Sequence, residues 1–527
     1  MKYPSLRRGL AAVGTVAIVC GILAVVSCTG RPTGVVEKVT ADVDKAEAAP
    51  AWPLFGGSLS RNMVNTTDKN LPTEWSIDEE KPKNIKWTAD LGSKAYGGPI
   101  IADGKIFVGT NNENPRNPKI KGDKGIVMCF RESDGKFLWQ AVHDKLEAGR
   151  VQDWPQEGVC STPVVEGKRL YYVSNRCELV CADTEGDPDK HEAKFHWKLD
   201  MIKTLGVFPH NLATCSPLII GDNVFVVTSN GVDEGHVNLP RPQAASFIAV
   251  NKKSGEVVWK DNSPGTKIMH GQWSNPVCAK VDGKPQIIFP GGDGWLRGFE
   301  PDSGKLIWKF DCNPKKSVYR LGPRGTRNDF LATPVVYENR VYIGVGQDPE
   351  HLEAVGHFWC IDLERATRLG AKNPENDVSP VNDNFDPKAD VNKNSALAWH
   401  FGGPAGKDAA KLGRNYYFGR TLSTAAVHDG LVYVADLGGY FFCFDAKTSE
   451  KYWEHAMNAQ TWSSPYWVDG KIYMGNDSGK LLIFKHGKTK ELVGEIDMES
   501  TIRATPTVVN GVLYVMTEHR LYAIAAK

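Results

Sequence analysis

The chain has 527 residues, more than one ordinary core usually holds, so either several domains or a repeat architecture is expected. Its 63 Lys and Arg residues against 62 Asp and Glu residues exclude the basic excess typical of nucleic-acid binding, and we expect no nucleic-acid partner. The 52 Gly and 31 Pro residues, together with many aromatic residues and no long segments of helical periodicity, favour an all-β repeat protein.

Residues 1–27 have the layout of an export signal. Basic residues near the start precede an uncharged stretch of 18 residues from Gly9 to Val26, as in a secretory signal peptide. Cys28 follows Val-Val-Ser and resembles the lipidated cysteine of a bacterial lipobox. The alternative is an uncleaved transmembrane anchor, because a stretch of this length can just span a bilayer.

Both alternatives place the body of the protein on the periplasmic or cell-surface side of a bacterial membrane. Residues 28–50 are polar and contain Ala and Pro, which predicts a flexible tether. Residues 51–527 form the remaining body, for which we expect a monomer held to the membrane by the lipid on Cys28.

A unit of four short strands recurs along this body. Between Trp273 and Phe310 the runs SNPVCAKV, PQIIFP, GWLRGFE and KLIWKF are bounded by Gly, Asp, Asn and Pro, which predicts a four-stranded antiparallel sheet. Eight copies of the first strand are recognisable, beginning near residues 98, 162, 216, 275, 333, 424, 464 and 505. Most fourth strands carry a Trp, whereas the seventh has Gly494 in its place.

The eighth copy ends at LYAIAAK without a fourth strand, and residues 84–91 (NIKWTADL) supply a matching strand with its own Trp87. A ring that joins these two pieces leaves no exposed sheet edge. The sequence therefore predicts an eight-bladed β-propeller of four-stranded antiparallel blades, closed by an N-terminal strand that completes the last blade.

The repeat segments CFRESDGKFLW (129–139), IAVNKKSGEVVW (248–259), GFEPDSGKLIW (298–308) and CFDAKTSEKYW (443–453) resemble those of the quinoprotein alcohol dehydrogenase-like superfamily of propellers. That superfamily contains dehydrogenases that use pyrroloquinoline quinone (PQQ) and also cofactor-free lipoproteins of the BamB type, which serve outer-membrane assembly. The resemblance implies the fold, and it leaves the activity open.

The long loops are predicted to gather on one face of the propeller, where binding usually occurs. Residues directly before a first strand, as in His270 to Trp273 and Arg324 to Asp329, should stand nearest the central channel. For each such residue the alternative is a structural role within its loop. The candidate ligand-binding residues are Asp153, Trp154, His210, Asn211, His236, His270, Gln272, Trp273, Arg324, Arg327, Asn328, Asp329, His351, Tyr416 and Arg420.

The resemblance to PQQ dehydrogenases implies a Ca²⁺ ion, a disulfide between adjacent cysteines, an inner Trp and an Asp base. None of the 11 cysteines is adjacent to another, and the pairs Cys177/Cys181 and Cys160/Cys215 are alternatives for an ordinary disulfide. Asp329 is the candidate base, because nearby arginines would keep it ionised. A salt-bridged loop brace is the alternative role for Asp329.

Two functions follow. The first is a membrane-tethered platform that binds a ligand, or a protein or glycan partner, through its long-loop face. The second is a PQQ-dependent dehydrogenase that oxidises an alcohol or sugar at the channel mouth, with Trp273 or Trp154 as a stacking wall. The sequence assigns no metal ligands, and the cofactor stays open between none and PQQ with Ca²⁺.

Overall fold

A computed structural model describes residues 51–322, 324–350 and 354–526. The predicted export signal, Cys28 and the tether lie outside the described residues. Among the described helices, none has both the length and the apolar character needed to cross a bilayer.

Eight sheets follow one another along the chain, and their four blade strands are antiparallel; the short strand Val64–Asn65 is added to blade seven in parallel. From the centre outwards, the strands of blades one to four are Ile100–Ala102, Lys105–Asn111, Lys124–Arg131 and Phe137–Asp144; Val164–Glu166, Arg169–Val173, Glu178–Asp183 and Phe195–Asp200; Leu218–Ile220, Asn223–Val227, Phe247–Asn251 and Val257–Asp261; and Val277–Val281, Lys284–Pro290, Trp295–Phe299 and Leu306–Asp311.

The remaining blades vary this plan slightly. Their strands are Val335–Tyr337, Arg340–Val345, His357–Asp362, Leu397–Pro404 and an added Tyr416–Phe418; Ala426–His428, Leu431–Ala435, Tyr440–Asp445 and Lys451–Ala456; Tyr466–Val468, Lys471–Gly475, Lys480–Lys485 and Leu492–Asp497, with Val64–Asn65 beside the first; and Thr507–Val509, Val512–Met516, Arg520–Ile524 and Ile85–Asp90. Short α-helices span Met201–Leu205, Leu363–Gly370 and Ala409–Leu412, and 3₁₀ turns span Gly149–Val151, Gly265–Lys267, Asp390–Asn392 and Gly406–Asp408.

The ring closes through the N-terminal strand. Ile85–Asp90 pairs antiparallel with Arg520–Ile524, which places Trp87 opposite Ala523. The predicted eight-bladed propeller and its closure by this strand are therefore confirmed.

The repeated tryptophans join each blade to the next. The indole N–H of Trp87 in blade eight donates to the carbonyl of Glu132 in blade one at 3.1 Å, and Trp139 donates to Thr184 of blade two at 3.1 Å. Trp197, Trp259, Trp399 and Trp453 make the same contact with the following blade. Each bond satisfies an indole donor that would otherwise be costly to bury.

A glycine in the following blade's outer turn makes room for several of these rings. A Cβ atom at Gly255 would lie 2.7 Å from the ring of Trp197, and Gly255 has a φ of +78°. The outer turn therefore needs glycine for both its backbone conformation and the approach of the indole.

Residues 52–65, which we call the lace segment, cross the ring and hydrogen-bond to every blade. The lace segment contacts the innermost part of blades one to eight at Ile101, Val165, Ser216, Cys278, Val336, Val427, Trp467 and Val508. The contacts follow the order of the blades except at blade three, which the side chain of Arg61 contacts. No repeat or alternation in the sequence predicts this segment.

Arg61 is the most constrained residue of the lace segment. Its fully buried guanidinium donates to the carbonyls of Phe55, Ser216, Pro217 and Pro276 at 2.8–3.0 Å. Burial lowers the pKa of Arg61 to about 10, which leaves it charged at neutral pH. One side chain thus ties the lace segment to blades three and four.

The described cysteines are all free thiols. Cys177 donates to the carbonyl of Thr228 at 3.3 Å, and Cys215 accepts from the amide of Val227 at 3.3 Å. Neither of the two candidate pairs named from the sequence is therefore a disulfide in this structure.

We expect Gly255→Ala to destabilise the fold more than Gly283→Ala. Gly283 has a similar φ of +76° but no atom within 4 Å of its Cβ position, so its substitution carries only the backbone cost of about 1 kcal/mol. Overpacking against Trp197 should add roughly 1–3 kcal/mol at Gly255. Denaturant midpoints of the two variants measure the difference, and equal midpoints would show that the indole does not press on this turn.

We expect Arg61→Met to lower the free energy of unfolding by several kcal/mol, because it leaves buried carbonyls without donors at roughly 1–3 kcal/mol each. Arg131→Met is the matched control, since Arg131 is 45% exposed and pairs with Asp134 on the surface, where such a pair contributes under about 1 kcal/mol. Thermal unfolding of both variants provides the measurement. An Arg61 variant as stable as the control would contradict the role of the lace segment.

Candidate functional site

A cavity of about 320 Å³ occupies the channel, and every blade contributes to its wall. Most lining residues lie before or at the start of an inner strand. The lace segment contacts the inner strands further along their length. The lace segment therefore closes the end of the channel opposite the long loops. Its Phe55 forms part of the cavity wall there, and the cavity opens towards the long-loop face.

Aromatic side chains form much of the wall. Trp154, Trp273, Trp462 and Tyr96 all line the cavity. The indole N–H of Trp273 is held between the carbonyls of His210 and Leu212 at 3.1 and 3.2 Å. The Tyr96 and Trp462 rings meet edge to face, with their centroids 5.8 Å apart. These contacts fix the orientation of three broad apolar surfaces.

Small neutral polar residues form a ring where the inner strands begin. The members that line the cavity are Thr162, Ser216, Asn275, Thr333, Thr424, Ser464 and Thr505. Neighbours in the ring bond to one another, as Asn275 Nδ2 does to Thr333 Oγ1 at 2.7 Å. The ring offers hydroxyl and amide groups to a ligand without placing any charge there.

The charged groups of the wall are mainly acidic. Glu157, Asp348 and Glu350 face the cavity together with Arg503. The Arg503 guanidinium already lies 3.1 Å from Glu518. The cavity therefore has no unengaged cation among its described lining residues with which to hold an anionic ligand.

Three histidines and one glutamate converge beside this cavity. Nε2 of His236 lies 3.2 Å from Nε2 of His210 and 3.2 Å from Nε2 of His270. Oε2 of Glu350 lies 3.3 Å from Nε2 of both His236 and His270. All four potential ligand atoms lie within 4.8 Å of one another. We call this group the histidine cluster.

The pKa values of His210 and His270 in the cluster shift in opposite directions. Burial, assisted by the neighbouring His270, lowers the pKa of His210 to about 3. Burial also opposes protonation of His270, but Glu350 and Asp348 outweigh it and raise the pKa of His270. The hydrogen bond with His270 lowers the pKa of Glu350 to about 2. Protonation is therefore disfavoured at His210 and favoured at the neighbouring His270.

Asp329 lies behind His270 and does not line the cavity. Burial and the nearby Asp348 raise the pKa of Asp329 to about 7, although His270 opposes them. Both of its carboxylate oxygens are buried without a hydrogen-bond partner in the described part of the chain. The expectation that nearby arginines keep Asp329 ionised is therefore wrong.

Arg327 is engaged elsewhere. Its guanidinium forms a bidentate pair with Asp311 and donates through Nε to the Asp293 carbonyl at 3.0 Å. The backbone of Asn328 is held by the side chain of Asn313, at 2.8 and 3.0 Å. Both predicted site residues brace the loop before blade five.

Asp153 and Gln272 are likewise braces. The buried carboxylate of Asp153 pairs with Lys145 and accepts from Asn175 at 2.8 Å. Gln272 donates to the Asn230 carbonyl at 2.8 Å and accepts from the amide of Gly292 at 3.1 Å. For these two residues the structural alternative raised from the sequence describes the contacts.

The remaining candidates lie around the mouth or beyond it. Asn211 lines the cavity and donates to Oε2 of Glu350 at 3.4 Å. Arg420 donates to the Asp348 carbonyl at 2.8 Å. Tyr416 lies on the added strand of blade five and is not among the cavity residues, and Arg324 is exposed. His351 lies outside the described residues.

The structure adds site residues that the sequence analysis did not select. Glu350 completes the histidine cluster, and Phe55, Tyr96 and Trp462 add to the cavity wall. Tyr96 and Trp462 each stand shortly before an inner strand, the position that selected Trp273. That signal could have found them, whereas nothing local in the sequence marks Glu350.

Several known proteins are similar to this chain. A polyvinylalcohol dehydrogenase from Sphingopyxis sp. (strain 113P3) is 23% identical over 349 residues, which cover 58% of this chain and 50% of that protein. The chain thus spans about half the length of that relative. The structure of BamB from Moraxella catarrhalis aligns with 84% of this chain and 96% of its own, at 15% identity and a TM-score of 0.48.

The quinohemoprotein alcohol dehydrogenase from Comamonas testosteroni aligns with 92% of this chain and 82% of its own, at 13% identity and a TM-score of 0.48. Neither structural likeness carries an argument about activity. The family model described as outer membrane protein assembly factor BamB matches residues 123–386 and 389–485, more than half of the chain. The chain belongs to this family of PQQ-like propellers.

Proposed function

We propose that the protein is an exported, membrane-anchored propeller that binds a neutral polyhydroxylated ligand, a sugar or the end of a glycan chain, at its channel mouth. The observation that carries this proposal is the pairing of fixed aromatic walls with a ring of uncharged hydroxyl and amide groups in one cavity. The lace segment closes the cavity at one end, so a ligand enters from the long-loop face.

The chemistry of the wall suits such a ligand. The faces of Trp154, Trp273 and Trp462 can cover the C–H faces of a sugar ring, while the polar ring offers partners to its hydroxyls. The volume of about 320 Å³ falls at the lower end of ordinary ligand sites. Carboxylates such as Glu157 accept hydrogen bonds from hydroxyls and repel anions.

The name of the Sphingopyxis relative gives independent support for the ligand class. Polyvinylalcohol is a polymer with a hydroxyl group on every repeating unit, and that relative is named as its dehydrogenase. We carry over only the recognition of a polyhydroxylated chain. The expected lipid anchor on Cys28 would keep the protein outside the cytoplasm, where extracytoplasmic glycans are accessible.

A quinone dehydrogenase is the alternative, and the residues present do not fit its cofactor. PQQ carries carboxylate groups, whereas the cavity presents Glu157, Asp348 and Glu350 and an Arg503 that is already ion-paired. The sequence contains no adjacent cysteines, and Asp329 lies outside the cavity wall. We therefore assign no oxidation step to these residues.

We expect saturable binding of neutral oligosaccharides or polyols to the purified protein, measured by titration calorimetry and by tryptophan fluorescence. Trp154→Ala and Trp462→Ala should each weaken binding by roughly tenfold, because an aromatic stacking contact contributes about 0.5–1.5 kcal/mol beyond area burial. Trp295→Ala is the matched control, since Trp295 bonds to Tyr319 and is not a cavity residue.

Binding of the control variant should equal that of the unaltered protein. The ligand would bind elsewhere if only Trp295→Ala lost binding. The same conclusion would follow if all three variants bound the ligand as tightly as the unaltered protein does. Stoichiometric binding of PQQ, or of a protein partner with no response to any polyol, would overturn the proposed ligand class.

A further inference from the structure

The histidine cluster has the composition and spacing of a metal site, and the geometry points to one divalent transition-metal ion, Zn²⁺, held by His210, His236, His270 and Glu350. Imidazole and carboxylate are ordinary zinc ligands. The proposal concerns a second site in the molecule and does not depend on the polyhydroxylated ligand.

Four of the six distances between the ligand atoms match those around a tetrahedral ion. Zinc lies about 2.0–2.1 Å from imidazole nitrogen and carboxylate oxygen, so neighbouring corners of a tetrahedron lie roughly 3.3 Å apart. The four separations from His236 to His210, His236 to His270, and Glu350 to each of His236 and His270 are 3.2, 3.2, 3.3 and 3.3 Å. The other two separations, from His210 to His270 and to Glu350, lie within 4.8 Å, so the four side chains surround one point that a metal ion could occupy.

The second nitrogen of His210 orients its ring for this task. Nδ1 of His210 lies 2.9 Å from the carbonyl of Val232. A carbonyl can only accept, so Nδ1 carries the proton and the Nε2 lone pair points into the cluster. Nδ1 of His270 likewise faces Oδ2 of Asp348, at 3.8 Å. Carboxylates and carbonyls behind the ligand histidines are the usual outer partners of a protein-bound metal.

The charges around the cluster favour a cation at its centre. The carboxylate of Glu350 contacts His270, and the carboxylates of Asp348 and Asp329 lie directly behind the His270 ring. Asp348 is 8% exposed and Asp329 only 2%, so water screens them weakly. The buried side-chain oxygens of Asp329 have no hydrogen-bond partner among the described residues. A divalent ion would favour the ionised form of these crowded carboxylates and offset their mutual repulsion.

The ligands come from loops that are distant along the chain. His210 and His270 precede the inner strands of blades three and four, His236 lies in the second loop of blade three, and Glu350 lies in the corresponding loop of blade five. Four protein ligands make a closed set, which is typical of structural zinc. The ion would therefore join the Glu350 loop to blades three and four beside Trp273.

The test uses the exported body of the protein, purified with a tag that contains no histidine and stripped with a chelator. Addition of ZnCl₂ should give one bound equivalent by titration calorimetry and elemental analysis, with a rise in Tm that the chelator reverses. Addition of CoCl₂ should give the intense visible absorption of tetrahedral Co²⁺. No bound equivalent, or only the weak absorption of octahedral Co²⁺, would overturn the proposal.

His236→Gln and Glu350→Gln each remove one ligand. Loss of an outer partner of a metal ligand typically weakens metal binding by roughly 10- to 100-fold, and we expect an effect of that size for Asp348→Asn. Both ligand variants should weaken zinc binding by more than this. His196→Gln is the matched control, since His196 faces Asp183 at 3.8 Å on the surface of blade two. It should bind zinc as the unaltered protein does.

Folding of each variant is checked by its Tm in chelator, where none should differ greatly from the unaltered protein. If one of the two ligand variants does not fold, the other one is tested with Co²⁺. Its visible spectrum should lack the tetrahedral bands. Unchanged affinity in a folded His236 or Glu350 variant would show that the cluster is not the site.

Discussion

The structure depends on the hydrogen bonds between the lace segment and the inner parts of the blades. A propeller ring leaves a channel along its axis, and the inner strands face that channel with backbone groups unused by their own sheets. Residues 52–65 satisfy one such group in blade after blade. The buried Arg61 adds side-chain bonds to carbonyls of blades three and four. The channel is thereby closed at one end by the chain itself.

This closure gives the two faces of the molecule different roles. The tryptophan contacts between blades hold a rigid ring, and the lace segment leaves the long-loop face as the open end of the cavity. The aromatic walls and the histidine cluster both stand at that end. Trp273 connects them, since its indole bonds to the His210 carbonyl while its ring lines the cavity. The histidine cluster and the cavity wall therefore share a direct contact through Trp273.

Periodicity made the fold readable from the sequence. Each blade repeats its turn residues and outer Trp, so the orphan strand around Trp87 could be assigned to blade eight. The position directly before an inner strand placed Trp273 at the channel, and Trp154 was selected as a residue of a long loop. The lace segment escaped notice because its bonds go singly to many strands and leave no alternating pattern. Arg327 was expected to stabilise the ionised form of Asp329. Its guanidinium instead pairs with Asp311, which lies 16 residues earlier in the chain. The histidine cluster required the tertiary structure, since His210 and Glu350 meet only through the ring.

The most direct measurement is a crystal structure of the exported body grown with Zn²⁺, with diffraction recorded on both sides of the zinc absorption edge. The account predicts one anomalous peak within bonding distance of three histidine Nε2 atoms and Glu350, beside a cavity with Phe55 in its wall. It would be contradicted by no peak at the cluster, by a peak bound to other residues, or by a channel from which residues 52–65 are absent.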